Sequence, residues 1–165
     1  MSLTCSKHSS VNQGFSLIEV LIALVVLAIG LLGLAGLQTV SLRNNQSAYF
    51  RSQATQLAYD MADKIRANYA DSKNLASSTY ITIALADATN QSDCKQVSSS
   101  CSTVNMAEND LYQWRQDLNN ALPTYTASIT VDAATQVFNI TVNWDDNHDG
   151  NVDDNDPNFQ MSFHP

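Results

Sequence analysis

Residues 14–38 read GFSLIEVLIALVVLAIGLLGLAGLQ, and they constrain this chain more than any other segment. The eighteen residues Val20–Leu37 carry no charge. That is enough for a helix to cross a bilayer core, which takes about 17–25 residues. One carboxylate, Glu19, stands at the lip of the run. A charge there is costly in lipid and calls for a partner. A secretory signal peptide has its apolar core before the cut and small residues at the exit. Here the polar stretch Met1–Gly14 comes first, then Gly-Phe, then the apolar run, with no A-x-A exit after it.

This order resembles a type IV prepilin: a short hydrophilic leader ending in Gly14, Phe15 directly after it, and Glu19 four residues further on. The continuation LIALVVLAIGLLGLAGLQ, with Gly30, Gly33 and Gly36, is most similar to the PilV group of minor pilins. The resemblance implies that a prepilin peptidase cuts after Gly14 on the cytoplasmic side and methylates the new amine of Phe15. It implies that Glu19, the fifth mature residue, pairs with the Phe15 amine of a neighbouring subunit. It implies an α+β type IV pilin fold, a long N-terminal helix with an antiparallel sheet packed on its outer half. The implied function is that of a minor pilin, which primes or caps pilus assembly from the inner membrane with other minor pilins and the major pilin. The head would sit in the periplasm and then in the pilus, including its tip. The alternatives are a minor pseudopilin of a type II secretion system and a DNA-uptake pilin.

The formal net charge is −8, and it becomes −9 once Lys7 leaves with the leader. No Lys or Arg follows Arg115, so direct binding to nucleic acid, whose phosphates need cations, is disfavoured. Lys7 is the only basic residue before the span and Arg43 the first after it. The positive-inside signal is therefore weak, and the orientation rests on the resemblance. Cys5 lies in the leader. Cys94 and Cys101, with six residues between them in a Ser-rich stretch, remain. An even pair in an exported segment suggests a disulfide; the alternative is two free thiols.

Four segments follow: a leader 1–14, the membrane and assembly half of a helix 15–38, its amphipathic half 39–70, and a head 71–165. No Pro occurs before Pro123, and Ala54, Leu57, Ala58, Met61 and Ile65 keep helical spacing. One helix from Phe15 to about Tyr69 is expected, the alternative being a break near Gln38–Asn45. The three glycines either permit local unwinding or let neighbouring helices approach. Residues 71–105 read as loop with a short strand at Tyr80–Leu85, where Ile81, Ile83 and Leu85 alternate. A helix is expected over Ala107–Leu122, ended by Pro123. Three period-two runs predict strands, centred on Ile129, Ile140 and Met161. The short Ala133–Gln136 link makes the first two a hairpin.

No catalytic constellation is present. His8 leaves with the leader, His148 and His164 lack a nucleophile motif, and Cys94 and Cys101 are not a C-x-x-C pair. The chain reads as the substrate of an enzyme and not as an enzyme. One motif carries chemistry. Residues 145–156 read DDNHDGNVDDND. They place Asp145, Asn147, Asp149, the Asn151 carbonyl, Asp153 and Asp156 at positions 1, 3, 5, 7, 9 and 12 of an EF-hand-like Ca²⁺ loop, with Gly150 at the sharp turn. Asp at position 12 is shorter than the usual Glu, and the flanks are strands. The alternative is a solvated acidic loop rich in turn formers.

Overall fold

The apolar run and the amphipathic segment after it form one helix, α1, Leu17–Ala67. Ser16 starts it: its Oγ accepts from the Glu19 amide at 3.4 Å, and its carbonyl accepts from the Glu19 and Val20 amides. Ser-x-x-Glu is the sequence of a capping box. No break occurs at Gln38–Asn45, because the segment holds no Pro and its residues cost the helix only tenths of a kcal/mol each. The glycines at 30, 33 and 36 stay helical as well. The computed structural model describes residues 14–95 and 100–165. The expected leader, with Cys5, Lys7 and His8, lies outside the described residues apart from Gly14.

The chain divides into two units, Met1–Asn44 and Asn45–Pro165. In the described part of the first, the large apolar side chains from Phe15 to Leu42 are at least half exposed. The second contains the whole core. Ala54, Leu57, Ala58, Met61, Ala62 and Ile65 form the buried stripe of α1. They belong to one cluster with Trp114, Leu118, Phe138, Ile140 and Trp144.

Helix α1 ends where Asn68 leaves helical geometry (φ −93°, ψ 49°). Its buried amide Nδ2 donates to the Thr103 carbonyl at 2.7 Å and to the Tyr80 hydroxyl at 3.4 Å. Two short helices follow, α2 (Tyr69–Ser72) and α3 (Thr79–Thr82). The strand expected at Tyr80–Leu85 does not form. The buried Asp71 carboxylate accepts from the Thr79 amide at 2.9 Å and from the Ser78 and Thr79 hydroxyls at 2.8 and 2.7 Å. This anchors a helical turn there instead. Ile81, Ile83 and Leu85 still pack on the core, but from irregular chain. The Arg115 guanidinium holds that chain in place by donating to the carbonyls of Leu85, Ala86 and Ala88.

Helix α4 spans Thr103–Ala121. It begins four residues before the expected Ala107 because Ser102 caps it, its Oγ accepting from the Asn105 amide at 3.1 Å. Leu111, Trp114 and Leu118 face the core, and the Trp114 indole donates to the Leu57 carbonyl at 3.0 Å. On the same helix the buried Asp110 accepts from the Tyr80 hydroxyl at 2.7 Å. Burial pushes the Asp110 carboxyl up, and burial together with that carboxylate pushes the Tyr80 phenol far above its ordinary range.

The strands β1 (Tyr125–Asp132), β2 (Val137–Trp144) and β3 (Asn158–Phe163) form an antiparallel sheet in the order β1-β2-β3. Ile129 pairs with Ile140, which pairs with Met161. The hairpin link is Ala133–Gln136, as expected. Phe138, Ile140, Val142 and Trp144 alternate inward and are fully buried. The long helix and antiparallel sheet make the fold α+β, in agreement with the reading from sequence.

Candidate processing and assembly site

Gly14 and Phe15 precede the helix and are exposed, Phe15 at 83%. Glu19 lies in the first helical turn, also exposed, and shares a face with Phe15, Ala23 and Leu27. The first residues of the apolar helix thus present an exposed aromatic ring and a carboxylate one turn away. No cation of the described chain pairs with Glu19, and the nearest described basic residue in sequence is Arg43. A carboxylate near a helix N-terminus is favoured by the backbone dipole by about 0.3–1 kcal/mol. That is small against the cost of a charge in lipid. Sequence reading singled out Glu19 and passed over Ser16. The Ser-x-x-Glu spacing was the signal that could have found it.

The helix is long and apolar enough to cross a membrane, with a mean hydropathy of 2.9 over its most apolar eighteen residues, none of them buried. A Cβ built on Gly30, Gly33 or Gly36 would meet nothing within 4 Å. The glycines therefore serve no packing inside the chain.

Cys94 and Cys101 are joined as a disulfide with Cα atoms 4.9 Å apart. The bond ties the 3₁₀ turn Ser92–Lys95 to the residue before the Ser102 cap of α4. Closing so short a loop contributes about 2–3 kcal/mol in the chain-entropy account. Native protein treated with an alkylating agent without reductant is expected to show neither cysteine labelled, and labelling of both would refute the bond.

The acidic segment connects β2 to β3, and its ends interlock through the backbone. Asp145, only 3% exposed, accepts from the amides of His148, Asp149 and Gly150 at 2.6, 3.2 and 2.9 Å. Asp156 accepts from the Asp146 and Asp153 amides at 3.1 and 3.0 Å. Asn147 and Asp149 bond each other, and the Asn151 amide holds the exposed Asp149 carboxyl below its ordinary range. Gly150 has φ +91°, a turn that Gly tolerates best. The six expected ligands thus share one loop. Among the described residues no group of three or more His, Cys, Asp or Glu could hold a metal ion. The first and last carboxylates serve the loop's own amides.

Comparison with known families gives two adjoining matches. The family described as "Prokaryotic N-terminal methylation motif" matches residues 9–35. The family described as "Type IV pilin Tt1218" matches residues 36–112. Residues 113–165, which contain all three strands and the acidic loop, lie outside both ranges. Neither the curated proteins nor the solved structures contain a match to this chain.

Proposed function

We propose that the chain is a type IV pilin, a reading that the two matches support, and specifically a minor pilin that primes or caps pilus assembly from the inner membrane. The observation that carries this reading is the division of labour along α1. Its first half exposes an uninterrupted apolar surface, and its second half is the spine of a head that holds its own core. A chain built this way can move from a bilayer into a fibre core, since both accept the same apolar helix, while the head stays folded. Prepilin peptidase would cut between Gly14 and Phe15, with the head on the periplasmic side. The freed Phe15 amine and Glu19 would pair between neighbouring subunits, satisfying two charges that are each costly in an apolar medium. The finer PilV-like assignment rests on the glycine pattern of the span. The DNA-uptake alternative gains no observation, since residues 116–165 contain no Lys or Arg.

Two measurements test this reading. In sheared fibres, quantitative mass spectrometry is expected to find this chain far below the principal subunit in abundance, and parity would remove the minor assignment. Glu19→Ala is expected to insert in the membrane normally, because removing a charge favours insertion by about 2.5–3.5 kcal/mol at mid-helix and less near an end. It is expected to enter fibres poorly. Normal incorporation would show that Glu19 pairs with nothing there.

Calcium binding by the loop 145–156 is a separate proposal that rests on residue spacing. A bound ion would stabilise the head by an amount that grows with the logarithm of free Ca²⁺ above its dissociation constant. The head is to be melted in millimolar Ca²⁺ and in EDTA. A higher midpoint in Ca²⁺, lost in Asp149→Ala, supports the site. Identical melts reduce the loop to a clasp held by its own amides. In either case Asp145→Ala is expected to destabilise the head, since it strands three amide donors, each worth about 1 kcal/mol.

A further inference from the structure

The end of α1 and the start of α4 meet across a cavity of about 260 Å³. Lys64 and Asn68 line it from one side, Met106 and Asp110 from the other. The members of each pair are four residues apart, which brings them to the same side of a helical turn. Asp110 is 7% exposed and Asn68 8%, so both polar side chains stand in the wall and not on the surface.

The wall leaves two oxygens over. Asp110 Oδ2 accepts from the Tyr80 hydroxyl, and Asn68 Nδ2 donates to that hydroxyl and to the Thr103 carbonyl. Asp110 Oδ1 and Asn68 Oδ1 receive no hydrogen bond from the described protein. Neither atom is sealed off, since among the described residues the Ser72 hydroxyl is the one side-chain polar atom both buried and unpartnered. The two oxygens open into the cavity that their residues line. A buried carboxylate with so few donors is costly. Burial raises the Asp110 carboxyl above its ordinary range, against the Tyr80 hydrogen bond and the charge of Lys64. Lys64 acts from a distance. Its ammonium lies beyond 4 Å from Asp110, and no carboxylate of the described residues forms an ion pair with it.

We propose that this cavity binds a small zwitterion, a free α-amino acid with an uncharged aliphatic side chain. The ligand's ammonium carries three donors and takes Asp110 Oδ1 and Asn68 Oδ1 as acceptors. Its carboxylate pairs with the Lys64 ammonium. Ala67 and Met106 line the cavity for its side chain, and Met adapts to aliphatic shapes. Charge sets aside the neighbouring classes. An anion alone meets Asp110, and a cation alone meets Lys64. A metal ion finds one carboxylate, whereas Ca²⁺ takes about six to eight oxygens. Size limits the ligand further, since pockets for drug-sized molecules run about 300–1,000 Å³. The proposal does not depend on the pilin reading, because it concerns the head alone.

The head, residues 45–165, contains every buried apolar residue of the described chain and is a sufficient test object. Titration calorimetry with alanine, leucine and methionine is expected to show binding of at least one of the three. Butylamine and butyrate, which carry one charge each, are expected to bind about tenfold more weakly or worse, equivalent to about 1.4 kcal/mol. Asp110→Asn keeps an oxygen for the Tyr80 hydroxyl and removes the charge. Lys64→Met removes the ammonium and keeps the backbone carbonyl that Tyr80 and Asn68 reach. Each variant is expected to weaken the amino acid about tenfold or more. Lys64→Met decides the matter if Asp110→Asn unfolds the head, because the Lys64 side chain makes no hydrogen bond or ion pair among the described residues. No heat with any of the three amino acids overturns the proposal. So does equal binding of butylamine or butyrate, or undiminished binding by a folded variant.

Discussion

A chain carrying Gly14→Val is expected to accumulate uncut in the inner membrane, with Met1 still at its N-terminus. The substitution tests processing cleanly because Gly14 has no structural duty. It lies outside the helix, and a Cβ built on it would meet nothing within 4 Å. Neither α1 nor the head should change, so membrane insertion and the melting of the head are internal controls. A peptidase that must approach the Gly14–Phe15 bond closely has no room for a β-branched side chain before it, and Val is stiff at χ1 as well. The wild type is expected to begin at a methylated Phe15 by mass spectrometry of assembled material. An intact Met1 terminus in such material would sink the prepilin assignment, and normal cleavage of Gly14→Val would sink the role given to Gly14.

The largest stability loss is expected at Trp114. The side chain is 1% exposed, and its indole N–H donates to the Leu57 carbonyl, so one residue joins α4 to α1 in both packing and hydrogen bonding. Trp114→Ala should cost about 3–5 kcal/mol from lost burial and the cavity left behind. Domains of ordinary stability have about 5–15 kcal/mol in total. A fall in melting temperature on the order of 10–20 °C is the corresponding scale for a head of this size. Trp114→Phe keeps much of the volume and loses the donor, so it should cost less than half as much. Denaturant melts of residues 45–165 decide the matter. A loss below about 1 kcal/mol for the alanine variant would mean that the two helices are held together elsewhere.

The fold was legible in the sequence wherever one periodicity ran long enough to be read alone. The alternation through Ile129, Ile140 and Met161 gave three strands, and the observed register follows it. The helical spacing from Ala54 to Ile65 gave every member of the buried stripe of α1 except Ala62. The start of α4 was misplaced because its first turn is polar. Its signal was the Ser102 cap and not an apolar residue. Gly14, Phe15 and Glu19 stand out in the sequence because an apolar helix tolerates so few irregular residues.

The sequence by itself determined the parts of this protein whose solvent is known in advance. Eighteen consecutive uncharged and mostly apolar residues call for an apolar surrounding, and alternating strands call for one wet face and one dry. The tertiary structure decided the segments whose polar groups had several partners to choose among. Ile81, Ile83 and Leu85 alternate like a strand, yet Asp71 captures Ser78 and Thr79 and turns the chain into a helical turn. Arg115, distant in sequence, then collects the carbonyls at 85, 86 and 88. In the acidic run Asp145 and Asp156 take amides of their own loop as partners. A carboxylate takes the donors that folding brings within about 3 Å of it, and a linear sequence does not state which those will be.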